Sequence, residues 1–301
     1  MFKKTQLIST ADLTRADVDF LVKEAESLRG KRTKDLQGKI AATLFFEPST
    51  RTRLSFESAA HRLGASIISV ADPKTSSLAK GESLEDTIRV VDKFADIIVM
   101  RHPEAGAAER AVKCTKKPFI NAGDGANQHP TQALLDMLTI KREMGKIDGL
   151  VIGFTGDLKY GRTVHSLLYL LAHYKIRKIF LISPKELRLP RMYLDLLRKA
   201  RIPFAETADL SKSIKEMDVL YMTRIQQERF KNEKEYRKYK GAYVLTAGLV
   251  RKGKKSLRVL HPLPRIDEIA TEVDNLPQAA YFRQAENGMY MRMALLKNLS
   301  K

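Results

Sequence analysis

Cysteine is almost absent from this chain of 301 residues, in which Cys114 stands alone. A single cysteine can build neither a disulfide framework nor a thiolate metal site within the chain. The six histidines offer no substitute, because their positions show none of the paired spacings typical of metal ligands. The sequence therefore predicts a protein of a reducing compartment, the cytoplasm, and no metal site.

Long hydrophobic runs are missing as well. The longest apolar stretch, LLYLLA at 167–172, is far shorter than the roughly 20 residues that cross a bilayer as a helix. The first residues, MFKKTQLISTADLTRADV, lack the apolar core of a signal peptide. We therefore expect a soluble intracellular protein with no membrane partner.

Nucleotide-binding fingerprints are incomplete. The segment GDLKYGRT at 156–163 approaches a phosphate-binding P-loop, but Arg162 stands where that motif requires lysine. The preceding GLVIGFTGD does not supply the Gly-x-Gly-x-x-Gly pattern of dinucleotide-binding folds. An arginine at this place suits a bidentate grip on a carboxylate instead.

Positive charge, by contrast, is abundant. The chain has 54 lysines and arginines against 35 aspartates and glutamates, a formal charge of +19. The cations are spread along the chain, and aromatic residues do not alternate with them as they do in platforms that stack bases. This distribution favours small anionic substrates. A nucleic-acid-binding module is the alternative, and it would require a basic stripe.

Strand-like and helix-like segments alternate along the whole chain, which indicates an α/β protein with doubly wound parallel sheets. A glycine-containing, charged break at 143–149 divides the pattern into two similar halves. We predict a first domain over 1–144, to which the closing amphipathic helix at about 285–301 returns. The second domain is predicted over 145–284, with AYVLT at 242–246 among its strands.

Polar residues follow the predicted strands repeatedly. Residues 49–53, STRTR, place hydroxyls and guanidiniums in the first turn of a helix, where unpaired N–H groups and the helix dipole attract anions. Similar segments follow five other strands: RHPEAG, HPTQALLD, LKYGRT, TRIQ and PLPR. Ligands of doubly wound folds bind at the carboxyl ends of strands. We therefore predict a cationic, hydroxyl-rich site for a transfer reaction that stabilises an oxyanion.

These segments together resemble the aspartate carbamoyltransferase family over nearly the whole chain. The matching stretches, in order, are FFEPSTRTRLSFESA, SSLAKGESLEDT, VMRHPEAGAA, NAGDGANQHPTQALLD, GDLKYGRTVHSL, YMTRIQQERF, VLHPLPRIDEI and YFRQAENGMYMRMALL. The resemblance implies transfer of a carbamoyl group from carbamoyl phosphate to the amino group of L-aspartate, in pyrimidine biosynthesis. It implies no metal ion or organic cofactor.

The resemblance also implies roles for particular residues. The carbamoyl-phosphate-binding set is Ser49, Thr50, Arg51, Thr52, Arg101, His129, Gln132 and the backbone of Leu263 and Pro264, with a cis peptide bond between the last two. The aspartate-binding set is Lys80, Arg162, Arg224 and Gln226. Thr52, Lys80, Arg101 and His129 are the implied catalytic residues. Arg53 is left without a role in the site.

Quaternary structure follows from the same resemblance. It implies a homotrimer with shared active sites, in which Ser76 and Lys80 come from the adjacent subunit, with Ser77 as the alternative bridging serine. A zinc-binding regulatory chain, another pathway enzyme or an isolated trimer all stay open, as do cooperativity and nucleotide control.

The strongest rival activity is that of ornithine carbamoyltransferase, which shares the STRTR and HPTQ stretches. That family has a cysteine at the position of Pro262, and TRIQ here offers a cation where a cationic substrate would be repelled. A catalytically degenerate scaffold homologue is the third alternative, and the intact matched positions weigh against it.

Overall fold

The computed structural model describes residues 2–72, 77–225, 233, 237–239 and 241–301. The chain divides into two compact units. The first comprises Met1–Leu138 with Glu286–Lys301, and the second Thr139–Ala285. This division falls inside a helix, whereas the sequence pattern predicts the boundary after residue 144, so the domain limits stay a prediction.

A five-stranded parallel sheet forms the centre of the first unit, in the order β1-β5-β4-β2-β3. Its central strands β2 and β4 are almost wholly buried, because their runs of aliphatic residues are covered on both faces. The strands are β1 (Gln6–Leu7), β2 (Ile40–Phe45), β3 (Ser66–Val70), β4 (Ile97–His102) and β5 (Phe119–Asp124).

Helices follow the strands of this unit and carry their own start signals. Thr14 and Asp17 form a capping box, with the Asp17 N–H donating to Thr14 Oγ1 at 3.2 Å and the Thr14 N–H to Asp17 Oδ2 at 3.0 Å. Ser83 is the N-cap of the third helix, and its Oγ accepts from the Asp86 N–H at 3.1 Å. The helices are α1 (Arg15–Ser27), α2 (Thr50–Arg62), α3 (Leu84–Phe94), α4 (Ala107–Ala111) and α5 (Pro130–Met144).

The closing helix, α10 (Tyr281–Leu299), returns to the first unit from Glu286 onward. Its Arg292 is buried, with 3% of its surface exposed, and its Nη1 donates to Ser55 Oγ of α2 at 2.6 Å. The guanidinium lies 5.0 Å from the ring centre of Phe56. Burial lowers the pKa of Arg292 to about 9, and the charge of Asp136 in α5 opposes the shift.

A second five-stranded parallel sheet forms the centre of the second unit, in the order β10-β9-β6-β7-β8. Buried aliphatic residues of β6, β7 and β9 pack against its helices in one core. The strands are β6 (Val151–Thr155), β7 (Lys178–Ile182), β8 (Phe204–Thr207), β9 (Val219–Met222) and β10 (Arg258–Leu260), and the helices are α6 (Arg162–Leu171), α7 (Arg191–Lys199), α8 (Leu210–Ser213) and α9 (Ala247–Arg251).

The predicted strand AYVLT is wrong. Only Leu245 pairs there, in an isolated bridge with Ile269, and α9 begins at Ala247. The helix starts because Thr246 is its N-cap, accepting from the Leu249 N–H at 3.2 Å, so the chain leaves the extended conformation before a strand can form. Within the described residues, no helix is long and apolar enough to span a bilayer.

Candidate active site

The strand order of the first unit creates a switch point between β2 and β4. The chain continues from β2 to β3 on one side of β2, and then crosses to β4 and β5 on the other. The loops after β2 and β4 therefore leave the sheet in opposite directions, and a crevice opens at their carboxyl ends. The predicted residues 49–52 and Arg101 stand at these two strand ends.

The start of α2 is arranged for an anion. Ser49 is the N-cap residue and, within the described part of the chain, its side chain makes no capping hydrogen bond; the first turn also contains no acidic residue. Thr52 is buried while Arg51 is exposed, and partial desolvation lowers the pKa of Arg51. The first turn of α2 thus combines helix N–H groups, hydroxyls and a cation.

Arg53 points elsewhere, since its Nη1 lies 3.5 Å from Glu57 Oε1 one turn further along α2. This contact is consistent with the sequence analysis, which gives Arg53 no part in the site.

Arg101 links the ends of three strands. Its Nε donates to Glu47 Oε2 at 2.9 Å, just after β2, and its Nη1 lies 3.5 Å from His129 Nε2, just before α5. Only 12% of its side chain is exposed, so the guanidinium keeps a fixed position and a strong local field. The predicted pair of Arg101 and His129 is therefore brought together.

Gln132 occupies the first turn of α5, one turn after His129, and is also buried. Its Nε2 donates to Asp136 Oδ1 at 2.8 Å. Because the amide nitrogen is held by this carboxylate, the amide oxygen is left to face a hydrogen-bond donor such as an N–H group.

The second unit has a matching switch point between β6 and β9. The chain proceeds from β6 through β7 to β8 on one side, and then returns to β9 on the other side of β6. Arg162 begins the helix that follows β6, and Arg224 follows β9; both are half-buried. Two cations therefore stand at the ends of two neighbouring strands.

Gly156 allows these two strand ends to approach. A Cβ atom at this residue, whose φ is +117°, would lie 2.3 Å from the Thr223 carbonyl oxygen. Any side chain here would force apart the segments that lead to Arg162 and Arg224.

Leu263 and Pro264 lie after β10, the edge strand beside β9. Their peptide bond is cis, as the resemblance implies, and Leu263 has a φ of +52°. Lys80 ends a short 3₁₀ helix and is exposed in the first unit. The predicted residues Ser76 and Gln226 lie outside the described residues.

His165 supports the segment that carries Arg162. It is buried in α6, its Nε2 lies 2.8 Å from the carbonyl oxygen of Leu158, and its ring stacks on Tyr193 with centroids 4.2 Å apart. A carbonyl only accepts, so Nε2 carries the proton and donates. Burial lowers the pKa of His165 to about 4, against the opposing effect of the Leu158 carbonyl.

Stability should therefore fall as the pH falls. In the unfolded chain, His165 is protonated below its usual pKa of about 6.5. In the folded protein, it is protonated only below about pH 4. We expect the free energy of unfolding to drop by about 3 kcal/mol from this residue between pH 7 and pH 4. Urea unfolding of the wild type and of His165→Gln, which keeps a donor for Leu158, should show a shallower pH dependence for the variant. Equal slopes would contradict the assignment.

Metal ligation is not suggested by the geometry. Across the described ranges, no three histidine, cysteine, aspartate or glutamate side chains are grouped to hold an ion. The chemistry available at the two switch points is thus that of cations, hydroxyls, amides and helix N–H groups.

Two family models match the chain: "Aspartate/ornithine carbamoyltransferase, carbamoyl-P binding domain" over residues 5–142, and "Aspartate/ornithine carbamoyltransferase, Asp/Orn binding domain" over residues 148–299. The chain belongs to the aspartate/ornithine carbamoyltransferase family.

Similar proteins of this family fall on its aspartate branch. The chain is 53% identical over 300 residues to the aspartate carbamoyltransferase catalytic subunit of Thermococcus onnurineus, covering 98% of this chain and 96% of the relative. It is 55% identical over 295 residues to that of Thermococcus gammatolerans, covering 96% of each. Aspartate transcarbamoylase of Trypanosoma cruzi, solved with carbamoyl phosphate and aspartate, has a TM-score of 0.93 at 42% identity, covering 98% of this chain and 96% of that one.

Three carboxylates beside the predicted site residues of this carbamoyltransferase family member escaped the sequence analysis. Glu47 contacts Arg101, Asp136 contacts Gln132, and Glu268 lies in the segment after Pro264. Asp136 offered the one local signal, because it stands four residues after Gln132 on the same helix face. Glu47 and Glu268 look like ordinary surface charges in the sequence.

Proposed function

We propose that the chain transfers the carbamoyl group of carbamoyl phosphate to the amino group of L-aspartate, giving N-carbamoyl-L-aspartate and phosphate. The observation that carries this proposal is the pair of switch points. One combines an open helix start with Arg101 and His129, and the other presents Arg162 and Arg224. The first suits a phosphoryl group and a developing oxyanion, and the second suits a dicarboxylate.

The phosphate of carbamoyl phosphate would bind at the start of α2. Ser49, Thr50, Thr52 and the free N–H groups donate hydrogen bonds, and Arg51 supplies a full positive charge. Negative charge on the phosphate grows as the carbon–oxygen bond breaks. The helix dipole and Arg51 therefore stabilise the departing dianion more than the bound substrate, which is what accelerates the step.

The carbamoyl carbonyl would lie against Thr52, Arg101 and His129. Attack by the uncharged aspartate amine on its carbon forms a tetrahedral intermediate with the charge on that oxygen. Arg101 is already held by Glu47 at 2.9 Å, so its orientation costs little during the reaction. The carbamoyl NH₂ group would donate to the Gln132 amide oxygen and to the backbone carbonyls of Leu263 and Pro264.

Aspartate would be held through its two carboxylates by Arg162, Arg224 and Gln226, with Lys80 reaching both substrates. Fixing the amine near the carbonyl carbon replaces a bimolecular encounter by an oriented one. We assign the amine proton to the leaving phosphate, because phosphate is itself a base and lies next to the reacting atoms. An acid limb of the pH–rate profile that moves when one side chain is replaced would contradict this assignment.

The amino-acid substrate is the point at which the rival activity can be tested. Purified protein is supplied with carbamoyl phosphate and either L-aspartate or L-ornithine, and the carbamoylated product is identified by mass spectrometry. We expect N-carbamoyl-aspartate and no citrulline, because a cationic side chain would meet Arg162 and Arg224. Turnover of ornithine without turnover of aspartate would overturn the proposal.

We further propose a homotrimer in which Ser76 and Lys80 complete the site of the neighbouring subunit. Two observations support a second copy of the chain as the partner. Lys80 is exposed in the first unit, at the end of a short 3₁₀ helix. The first unit also exposes apolar side chains on α2, on the edge strand β3 and on α3: Leu54 at 51%, Ile68 at 38% and Phe94 at 61%.

A zinc-binding regulatory chain is a further proposed partner. Its support is the name "catalytic subunit" of the similar Thermococcus proteins, which implies an assembly with another kind of chain. We assign the reaction to the cytoplasm, in keeping with the single cysteine. The native mass of the protein purified from its source tests the assembly. A mass that is a whole multiple of the mass of this chain would refute the proposed regulatory partner.

A further inference from the structure

The backbone at Leu263 has an unusual conformation that its own sequence does not favour. Its φ of +52° lies in the left-handed region, which residues with a side chain rarely adopt. Such a conformation persists only when surrounding contacts impose it, and it is often found where function requires a particular backbone orientation. The contacts that impose it here come from a buried histidine, two residues earlier.

His261 accepts a hydrogen bond from the Leu263 backbone. The Leu263 N–H donates to His261 Nδ1 at 2.8 Å, and only 1% of the histidine surface is exposed. A backbone N–H can only donate, so Nδ1 must carry the lone pair and Nε2 the proton. The tautomer of His261 is therefore fixed by the loop.

Glu268 completes the arrangement on the other side of the ring. His261 Nε2 donates to Glu268 Oε1 at 2.8 Å, and Oε2 accepts from the N–H groups of Ile266 and Asp267 at 3.0 and 3.2 Å. Glu268 is buried, with 6% of its surface exposed. Burial works to raise the pKa of Glu268, but the hydrogen bonds from His261 and from the backbone N–H groups lower it overall, so the carboxylate is ionised.

The histidine backbone is held as well. Gln284 of α10 accepts from the His261 N–H through its Oε1 at 2.8 Å, and 1% of Gln284 is exposed. The Leu245 N–H donates to the Glu268 carbonyl at 2.9 Å. Both ends of the loop from His261 to Glu268 are thus anchored in the second unit, and the imidazole bridges its interior.

We infer that His261 is a positioning residue, which holds the carbonyl groups of Leu263 and Pro264 in the orientation that receives the carbamoyl NH₂ group. The inference rests on the proposed function. His261 and Glu268 touch no substrate in this scheme. His261 acts through the Leu263 N–H, and Glu268 acts through His261 and the N–H groups of Ile266 and Asp267. Replacing His261 or Glu268 should change the orientation of the carbamoyl group, while phosphate binding by the first unit should be unchanged.

Two substitutions test the hydrogen bonds of the two imidazole nitrogens one at a time. The Oδ1 atom of His261→Asn can take the place of Nδ1 and keep an acceptor for Leu263. The Nε2 atom of His261→Gln can take the place of the ring Nε2 and keep the donor to Glu268, while Leu263 loses its acceptor. Each purified full-length variant is assayed for kcat and for inhibition by inorganic phosphate, with thermal unfolding as a check of folding.

His261→Gln should lower kcat about 100-fold, because the reacting group is misplaced, while His261→Asn should stay within about tenfold of the wild type. The inhibition constant of phosphate should change less than about twofold in both, since phosphate binds only to the first unit. General damage to the protein would weaken phosphate binding too. Equal kcat values for the two variants, or a larger loss in His261→Asn, would overturn the inference.

Two further variants keep the test decisive. His173→Gln, at an exposed histidine of the same unit, is the matched control and should behave as the wild type. If the His261 variants do not fold, Glu268→Gln provides the second measurement: about a tenfold loss of kcat with unchanged phosphate inhibition supports the inference, and an unchanged kcat overturns it. A wild type that makes no N-carbamoyl-aspartate refutes the proposed function itself, whereas an active wild type with indistinguishable His261 variants refutes only the positioning role.

Discussion

Replacing Arg101 by alanine is expected to lower kcat about 10³-fold. Arg101 is the cation held between Glu47 and His129 at the first switch point, and it would face the oxygen on which charge develops. Its loss removes a charge-assisted donor and leaves the Glu47 carboxylate near the oxyanion, so the two effects add. Steady-state kinetics with saturating aspartate and carbamoyl phosphate measure the change.

Arg101→Lys separates charge from geometry. Lysine restores the positive charge but cannot contact Glu47 and the oxyanion through a planar fork, so we expect only partial recovery of kcat. Arg15→Ala is the matched control, because Arg15 forms a surface pair with Asp19, 3.5 Å apart, far from either switch point in the sequence. Wild-type kcat in Arg101→Ala would refute the assignment of the oxyanion site.

Mixing two inactive variants is expected to restore activity if subunits share their sites. Arg101→Ala and Lys80→Ala should each be nearly inactive alone. Unfolded together at equal amounts and refolded, random trimers place an intact Arg101 beside an intact Lys80 of the next subunit in about a quarter of the sites. Roughly a quarter of wild-type activity should therefore return.

The control for this experiment mixes two variants whose replaced side chains belong to the same chain in the proposed site. Arg101→Ala mixed with His129→Ala should recover nothing, because both side chains are supplied by one chain in the proposed site. Recovery in that mixture, or none with Lys80→Ala, would contradict the shared-site arrangement.

Much of the fold follows from local patterns in the sequence. The closing helix was predicted at about 285–301 from its amphipathic pattern, and α10 covers Tyr281–Leu299. The start of α2 was predicted from hydroxyl residues after a buried strand, and the helix begins at Thr50. Both features depend on contacts within a few residues, which periodicity and capping rules describe well.

The sequence carries little local signal for the edge strands β1 and β8. β1 has two residues and β8 has four, and neither presents a continuous apolar run, because an edge strand is covered less than a central one. The wrongly predicted strand at 242–246 has the composition of a strand, but Thr246 starts a helix beside it. Composition alone does not choose between an edge strand and a loop.

The supporting residues of the site were missed for a different reason. The contacts between Glu47 and Arg101, and between Glu268 and His261, join residues whose pairing is set by the fold. A carboxylate in a single sequence looks the same whether it is solvated or buried against a cation. The residues assigned to the substrates stay predictions, and their grouping at the two switch points is what supports them.

The return of α10 to the first unit has a consequence for the order in which the protein is made. Residues 1–138 are translated before the second unit, yet the helix that supplies Arg292 to Ser55 and Phe56 is translated after it. The second unit has all of its residues available before the first one does. The first unit is thus completed only after the second has been translated, and a nascent chain stopped at residue 285 would lack the buried partner of α2.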